Sequence, residues 1–169
     1  SAEVYSNLGN TLRELGRLEE AEASLRQSIL LKPDYAKAHS NLGNVLKELG
    51  RLEEAEVSYR QAIVINPGFA DVLNNRGIIL EGLSRLEEAE ESYRQAILIN
   101  PGFADAHNNL GTTLKEMGKL EETEASYRQA IVLKPDHPEA HYNLGVYLFE
   151  IRQYGMAAEQ FELNDIYLS

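Results

Sequence analysis

Apolar residues recur along this chain with a helical rhythm that resets every thirty-four positions. In the stretch from Ala36 to Phe69, Leu42, Val45, Leu46 and Leu49 are spaced by three, one and three, which puts them on one face of a helix. Gly50 follows the last of them, where a left-handed backbone costs a glycine least, so Gly50-Arg51 is predicted to be a turn. Leu52, Ala55, Tyr59, Ala62, Ile63 and Ile65 then fall mostly three and four apart, predicting a second helix. Glu53 and Glu54 stand at its N-terminus, where negative charge is favoured. Pro67 ends it, because proline donates no amide hydrogen bond and biases Asn66 away from the helical region. The unit is predicted to be an antiparallel helical hairpin closed by a proline turn.

Shifting this unit by thirty-four residues brings it onto copies starting at Ala2, Ala70 and Ala104, and onto a degraded copy starting at Pro138. Residues 2–169 are therefore read as one array of repeats 2–35, 36–69, 70–103, 104–137 and 138–169, the last degenerate or capping. A single hairpin cannot bury its second face, so the units must stack, which predicts an all-α solenoid. Small residues where two helices cross let the backbones approach, and Gly43 with Ala55 is the expected close pair, a large aromatic filling the space beside it. The third copy departs most: Arg76 replaces the leucine of the repeat, Ile78 replaces asparagine or threonine, and Gly82 and Ser84 replace Glu and Gly. A guanidinium at a core position must be paired or must reach solvent along its stem. In the fifth copy a second helix is expected from about Tyr154, carrying Ala157 and Phe161, with Asn164 for alanine and no closing proline. It is either a cap, with Glu159, Glu162 and Asp165 turned outward, or the start of a longer array, to which apolar Ile166, Tyr167 and Leu168 point.

The pattern resembles the tetratricopeptide repeat (TPR) family. The residues that carry the resemblance are the Asn-Leu-Gly triplets at 7–9, 41–43, 109–111 and 143–145, the small residues Ala21, Ala55, Ala89 and Ala157, the aromatics Tyr59, Tyr93, Tyr127 and Phe161, and the prolines Pro33, Pro67, Pro101 and Pro135. It implies a right-handed α-solenoid of about five TPR helix–turn–helix repeats.

Composition narrows the class. There is no cysteine, so neither disulfides nor thiolate metal sites are expected. No apolar run is long enough to cross a bilayer and no signal peptide opens the chain, so a soluble, by default cytoplasmic, protein without membrane insertion is expected. The chain begins with Ser1 already in the first repeat, which reads as a processed chain or a piece of a longer one. A net charge of -11 removes the electrostatic term that nucleic-acid binding needs. Much of the acid opens the second helices, where Glu22, Glu56, Glu90 and Glu124 precede Arg26, Arg60, Arg94 and Arg128 by four residues. Such pairs add about 0.2–0.5 kcal/mol each and are read as a solvated outer face.

The face of each first helix not needed for packing forms a stripe at spacings of three and four, which in TPR arrays, as the resemblance implies, lines the concave surface. Its candidate peptide-binding residues are Asn7, Asn10, Asn41, Asn44, Lys47, Asn75, Ile78, Asn109, Thr112 and Asn143. An asparagine recurs at one position of every unit: 7, 41, 75, 109 and 143. Its amide offers an acceptor and two donors, matching a peptide unit, so a ladder of five would clamp an extended chain by its backbone. At about 0.5–1.5 kcal/mol net per hydrogen bond, several must act together. In this the array resembles the repeat domain of O-linked N-acetylglucosamine transferases, where an asparagine ladder holds the substrate polypeptide. The competing reading is that the asparagines bond adjacent repeats and stiffen the stack. Chaperone-binding TPR domains hold a C-terminal carboxylate with lysines and asparagines from three first helices. Here Asn10 and Asn41 are in place, but the basic positions hold Ser6, Asp71 and Asn75, and in the next register Ser40, Asp105 and Asn109, so that clamp is not expected.

No catalytic constellation, cofactor site or metal site is expected. His39, His107 and His141 share the slot of Tyr5 and read as packing residues, and His137 and His141 are four apart without a third ligand. The function expected is a non-enzymatic scaffold binding a protein or peptide partner in the concave groove. The alternatives are the substrate-recruiting repeats of a larger glycosyltransferase or sulfotransferase, and a homo-oligomer formed by end-to-end stacking.

Overall fold

The computed structural model describes the backbone of residues 1–167 and the side chains of residues 1–155, and these form nine α-helices without a strand. They are α1 (Ala2–Glu14), α2 (Leu18–Leu31), α3 (Ala36–Glu48), α4 (Leu52–Ile65), α5 (Ala70–Gly82), α6 (Leu86–Ile99), α7 (Ala104–Glu116), α8 (Leu120–Leu133) and α9 (Pro138–Tyr167). In the first four units the first helix packs along its own second helix, and each second helix packs against the first helix of the next unit. The core is a ribbon running the length of the stack rather than a ball, as the repeat period requires.

The turn inside each hairpin is made the same way four times. Gly16, Gly50 and Gly118 adopt φ of 72°, 74° and 74°, and Ser84 takes the same left-handed place at 57°. Around them the amide of Gly50 donates to the carbonyl of Lys47, and that of Arg51 to Leu46, a helix end that satisfies two otherwise orphaned carbonyls. The other three turns repeat these bonds at Gly16, Ser84 and Gly118. Just past the turn, Arg17, Arg51 and Arg85 fork onto Glu20, Glu54 and Glu88 in bidentate pairs of 2.6–2.7 Å.

The fifth unit differs from the sequence expectation. No turn forms near Tyr154; the backbone from Pro138 to Tyr167 is one continuous helix. One repeat after Gly118 the chain carries Arg152, a side chain for which the left-handed conformation costs roughly 1–2 kcal/mol, so continuing the helix is the lower-energy course. The expectations placed on Ala157, Phe161, Asn164 and the residues beyond lie outside the described side chains.

What sets the distance between paired helices is a ring in a notch. Tyr59, Tyr93 and Tyr127, at most 1% exposed, lie over Gly43, Gly77 and Gly111. A Cβ built on Gly43 would fall 2.6 Å from Tyr59 Cε1, and one on Gly77 2.5 Å from Tyr93 Cε1. In the first unit Leu25 fills the same place over Gly9, which is why the smaller side chain is accepted there. The atoms nearest to Gly43 belong to the Tyr59 ring, and Ala55, the small residue expected to share this close approach, is fully buried; in the first unit its counterpart Ala21 brings its carbonyl to 3.2 Å from the Cβ built on Gly9. Among the described residues Gly145 has no heavy atom within 4 Å of its built Cβ, because α9 continues and does not fold back over it.

Gly43→Ala should therefore destabilise the chain by about 1–3 kcal/mol through overpacking. Gly145→Ala should stabilise it by up to about 1 kcal/mol, the ordinary helix preference for alanine. Urea unfolding followed by circular dichroism compares the two. A loss at 145 as large as at 43 would mean that a second helix closes on α9 after all.

Candidate functional site

First helices of successive units touch one another, α1 with α3, α5 with α7 and α7 with α9, and no successive pair of second helices approaches to the same degree. Elements on the inside of a curved stack are the closer ones, so α1, α3, α5, α7 and α9 line the inner face. Their unburied stripe is the groove the sequence pattern selected.

The asparagine ladder is present, and most of it is engaged between repeats. The side-chain amide of Asn41 donates to Ser6 Oγ at 3.3 Å, that of Asn109 to Asn74 Oδ1 at 3.1 Å and that of Asn143 to Asn108 Oδ1 at 3.0 Å. Asn75 breaks the register and reaches Asn44 Oδ1 at 3.4 Å, one helical turn further along. Asn7 is exposed, and the amide of Asn10 donates within its own helix to Glu14 at 2.8 Å. Each engaged asparagine keeps one amide hydrogen, and Oδ1 of Asn41, Asn75 and Asn143 accepts no hydrogen bond from the described residues. The ladder thus spaces the repeats first and offers a partner only half of its hydrogen-bonding capacity.

The buried tyrosines end on this same stripe. Tyr59 donates its hydroxyl to Asn44 Oδ1 at 2.8 Å, Tyr93 donates to Glu81 at 2.9 Å, and the hydroxyls of Tyr127 and Thr112 are 3.3 Å apart. Glu81 also accepts from the Thr113 hydroxyl. Burial pushes the Glu81 carboxyl above the ordinary range, the hydrogen bonds from Thr113 and Tyr93 oppose this, and nearby Glu116 adds to it. Ile78 is 37% exposed on the groove, and Lys47 is half-buried there. At the far end Tyr142 and Phe149 stand 72% and 65% exposed on α9.

The charged second-helix face is more than a solvated surface. Glu22 and Glu90 form the expected pairs with Arg26 and Arg94, and each also reaches into the next repeat, Glu22 to Arg51 at 2.7 Å and Glu90 to Lys119 at 2.6 Å. At the junction between units two and three the bridge is re-routed: buried Glu56 takes Arg76 Nε at 3.0 Å, which is how the guanidinium at a leucine position is satisfied. Sequence reasoning paired each glutamate only within its helix and missed this bond.

His39, His107 and His141 bond the carbonyls of Pro33, Pro101 and Pro135 at 2.8, 3.2 and 2.8 Å, tying each first helix to the preceding proline turn. Among the described residues no group of three or more histidines and carboxylates is placed to hold a metal, and no helix is long and apolar enough to cross a membrane. Two clefts of about 490 and 520 Å³ lie between successive second helices, away from the groove; the first includes Leu30 and Val57, the second Leu98 and Ala125. They border a stripe of exposed aliphatic residues, Leu30, Val64, Leu98 and Val132, which recurs at the repeat period and which the sequence analysis did not single out.

Family models described as tetratricopeptide repeats match residues 36–69, 70–103 and 92–125, and one described as TPR repeat matches 9–50 and 113–151, so the matches run without a gap from residue 9 to residue 151. No curated protein matches the sequence. Among solved structures, the chain is similar to PilF of Pseudomonas aeruginosa, with 26% identity and a TM-score of 0.82 over 96% of this chain and 74% of that one. YrrB, described as a TPR protein with an unusual peptide-binding site, shares 25% identity with a TM-score of 0.78 over 90% and 78%. MamA from Desulfovibrio magneticus RS-1, at 21% identity and a TM-score of 0.83 over 95% and 91%, shows the same fold.

The raised carboxyl of Glu81 makes a prediction about stability. The folded chain holds this proton more tightly than the unfolded chain, so ionising Glu81 costs stability as pH climbs from its ordinary value of 4.5 through the raised one. Glu81→Gln should resist urea better than the parent protein at pH 7, with the gap closing below about pH 4. An advantage of the same size at both pH values would show that the carboxyl is not strained by its burial.

Proposed function

The chain belongs to the tetratricopeptide repeat family, and from that premise we propose that it is a non-enzymatic scaffold holding an extended segment of a partner polypeptide along its inner groove. The observation that carries this reading is the stripe of unburied polar side chains that the five inner helices present in register. Asn7, Asn10, Asn41, Asn44, Asn75, Asn109, Thr112 and Asn143 supply hydrogen-bonding groups at the repeat spacing, and Lys47 and Ile78 add one charge and one apolar contact. The likeness to YrrB, described as having a peptide-binding site, supports a polypeptide as ligand.

The repeat spacing favours recognition of backbone over sequence. Asn41, Asn75 and Asn143 each keep a carbonyl oxygen and one amide hydrogen, and a peptide unit offers one donor and one acceptor. With a net contribution of about 0.5–1.5 kcal/mol per hydrogen bond, affinity in the micromolar range is expected from four or five such contacts once ordering costs are subtracted. A second reading is pairing with another copy of the chain, favoured by the apolar edge of α1, where Val4 and Leu8 are 63% and 47% exposed.

Photo-crosslinking separates groove from outer surface. Benzoylphenylalanine at position 78 should trap partner polypeptides from source lysate, whereas the same group at Leu98, in the cleft between second helices, should trap few or none. Strong capture at 98 with none at 78 would move the binding surface to the outer clefts.

A further inference from the structure

The repeats act as controls for one another, and on the inner face two adjacent junctions depart from a charge pairing that the first and last keep. A basic residue near the end of a first helix reaches an acid thirty-five positions on, across the junction to the next unit. Arg13 meets Glu48 at 3.5 Å, and Lys115 meets Glu150 at 2.7 Å. At the junction of units two and three the same geometry leads from Lys47 to position 82, which is Gly82. Lys47 accordingly makes no salt bridge to any described residue, although its stem is half-covered. One unit on, the basic position holds Glu81 and its counterpart is Glu116, so two carboxylates stand where the other junctions place an ion pair.

Two further features coincide at this place. Of the four successive pairs of first helices, α3 and α5 approach least, and Asn75 spans the gap by bonding Asn44 in a shifted register. Ile78, three residues before Glu81 on α5 and 37% exposed, stands at a position filled by Asn10, Asn44, Thr112 and Val146 in the other units. Glu81 is held in place by Tyr93 and Thr113, so its carboxyl group is fixed rather than swinging into solvent.

Building on the groove reading above, we propose that the inner face across units two to four is a charge-reading subsite. Lys47 takes an acidic side chain of the bound polypeptide, Ile78 covers an apolar one, and Glu81 with Glu116 takes a basic one. The ladder then supplies grip along the whole groove, and this subsite supplies choice. The net charge of -11 opposes an acidic segment over the chain as a whole, and a lysine without a salt bridge to the described residues offsets that locally, which sharpens the discrimination.

The test is a random octapeptide library, acetylated and amidated at its ends, passed over the immobilised protein and sequenced after elution. Retained peptides should carry an acidic and a basic residue separated by an apolar one, each enriched about three- to tenfold over the input. Gly82→Glu, which gives Lys47 the partner the other junctions have, should abolish the acidic preference and leave the basic one. Lys47→Glu should turn the acidic preference into a basic one, and it decides alone if Gly82→Glu loses helicity. Retention without any charge preference, or an acidic preference unchanged in Lys47→Glu, overturns the subsite while leaving the groove reading standing. No retention above a blank column overturns both.

Discussion

A large side chain seated where a glycine has none, a tyrosine ring in three hairpins and Leu25 in the first, holds each complete hairpin together, and much of the architecture follows from that contact. Gly43, Gly77 and Gly111 bring the first helix within reach of Tyr59, Tyr93 and Tyr127, and the rings fill the space completely enough that a single methyl would collide. Each ring also carries a hydroxyl that must find a partner when buried. Those partners, Asn44, Glu81 and Thr112, stand on the inner stripe, so the packing of the core and the arrangement of the groove are set by the same side chain.

Stacking uses a second, polar set of contacts. Ladder asparagines cross the inner side of all four junctions, and ion pairs from Glu22, Glu56 and Glu90 cross the first three near the second helices. Each hydrogen bond is worth little alone, yet both sets recur at every complete junction, which fixes the angle between units. The third unit alters both at once: Arg76 takes over the ion pair, Asn75 shifts by a turn, and Gly82 removes an acid. Repetition builds the scaffold, and departure from repetition gives it a place that differs from the others.

Much of this was legible in the order of residues. The helix boundaries, the glycine turns and the burial of Tyr59 follow from period and residue type alone, because they depend on neighbours within one hairpin. What escaped depends on the chain thirty or more residues away. The amides of Asn41 and Asn109 face the preceding repeat, and buried Glu56 bonds Arg76 at 3.0 Å while the expected pair with Arg60, one turn along its own helix, is looser at 3.9 Å. No local pattern distinguishes such a bond from a free side chain. The missing turn in α9 was readable in principle from Arg152 at the position where the other turns are left-handed, but the Asn-Leu-Gly triplet at 143–145 and the aligned Ala157 and Phe161 pointed to a second helix even in a degenerate last copy.

The central claim is that recognition happens on the inner helices while the second helices serve the stack. Hydrogen–deuterium exchange of the protein, alone and saturated with a polypeptide recovered by crosslinking, tests it most directly. The account predicts added protection concentrated in α3, α5 and α7, with α2, α4, α6 and α8 little changed. Protection gained chiefly along the second helices, around Leu30, Leu98 and the clefts beside them, would contradict it.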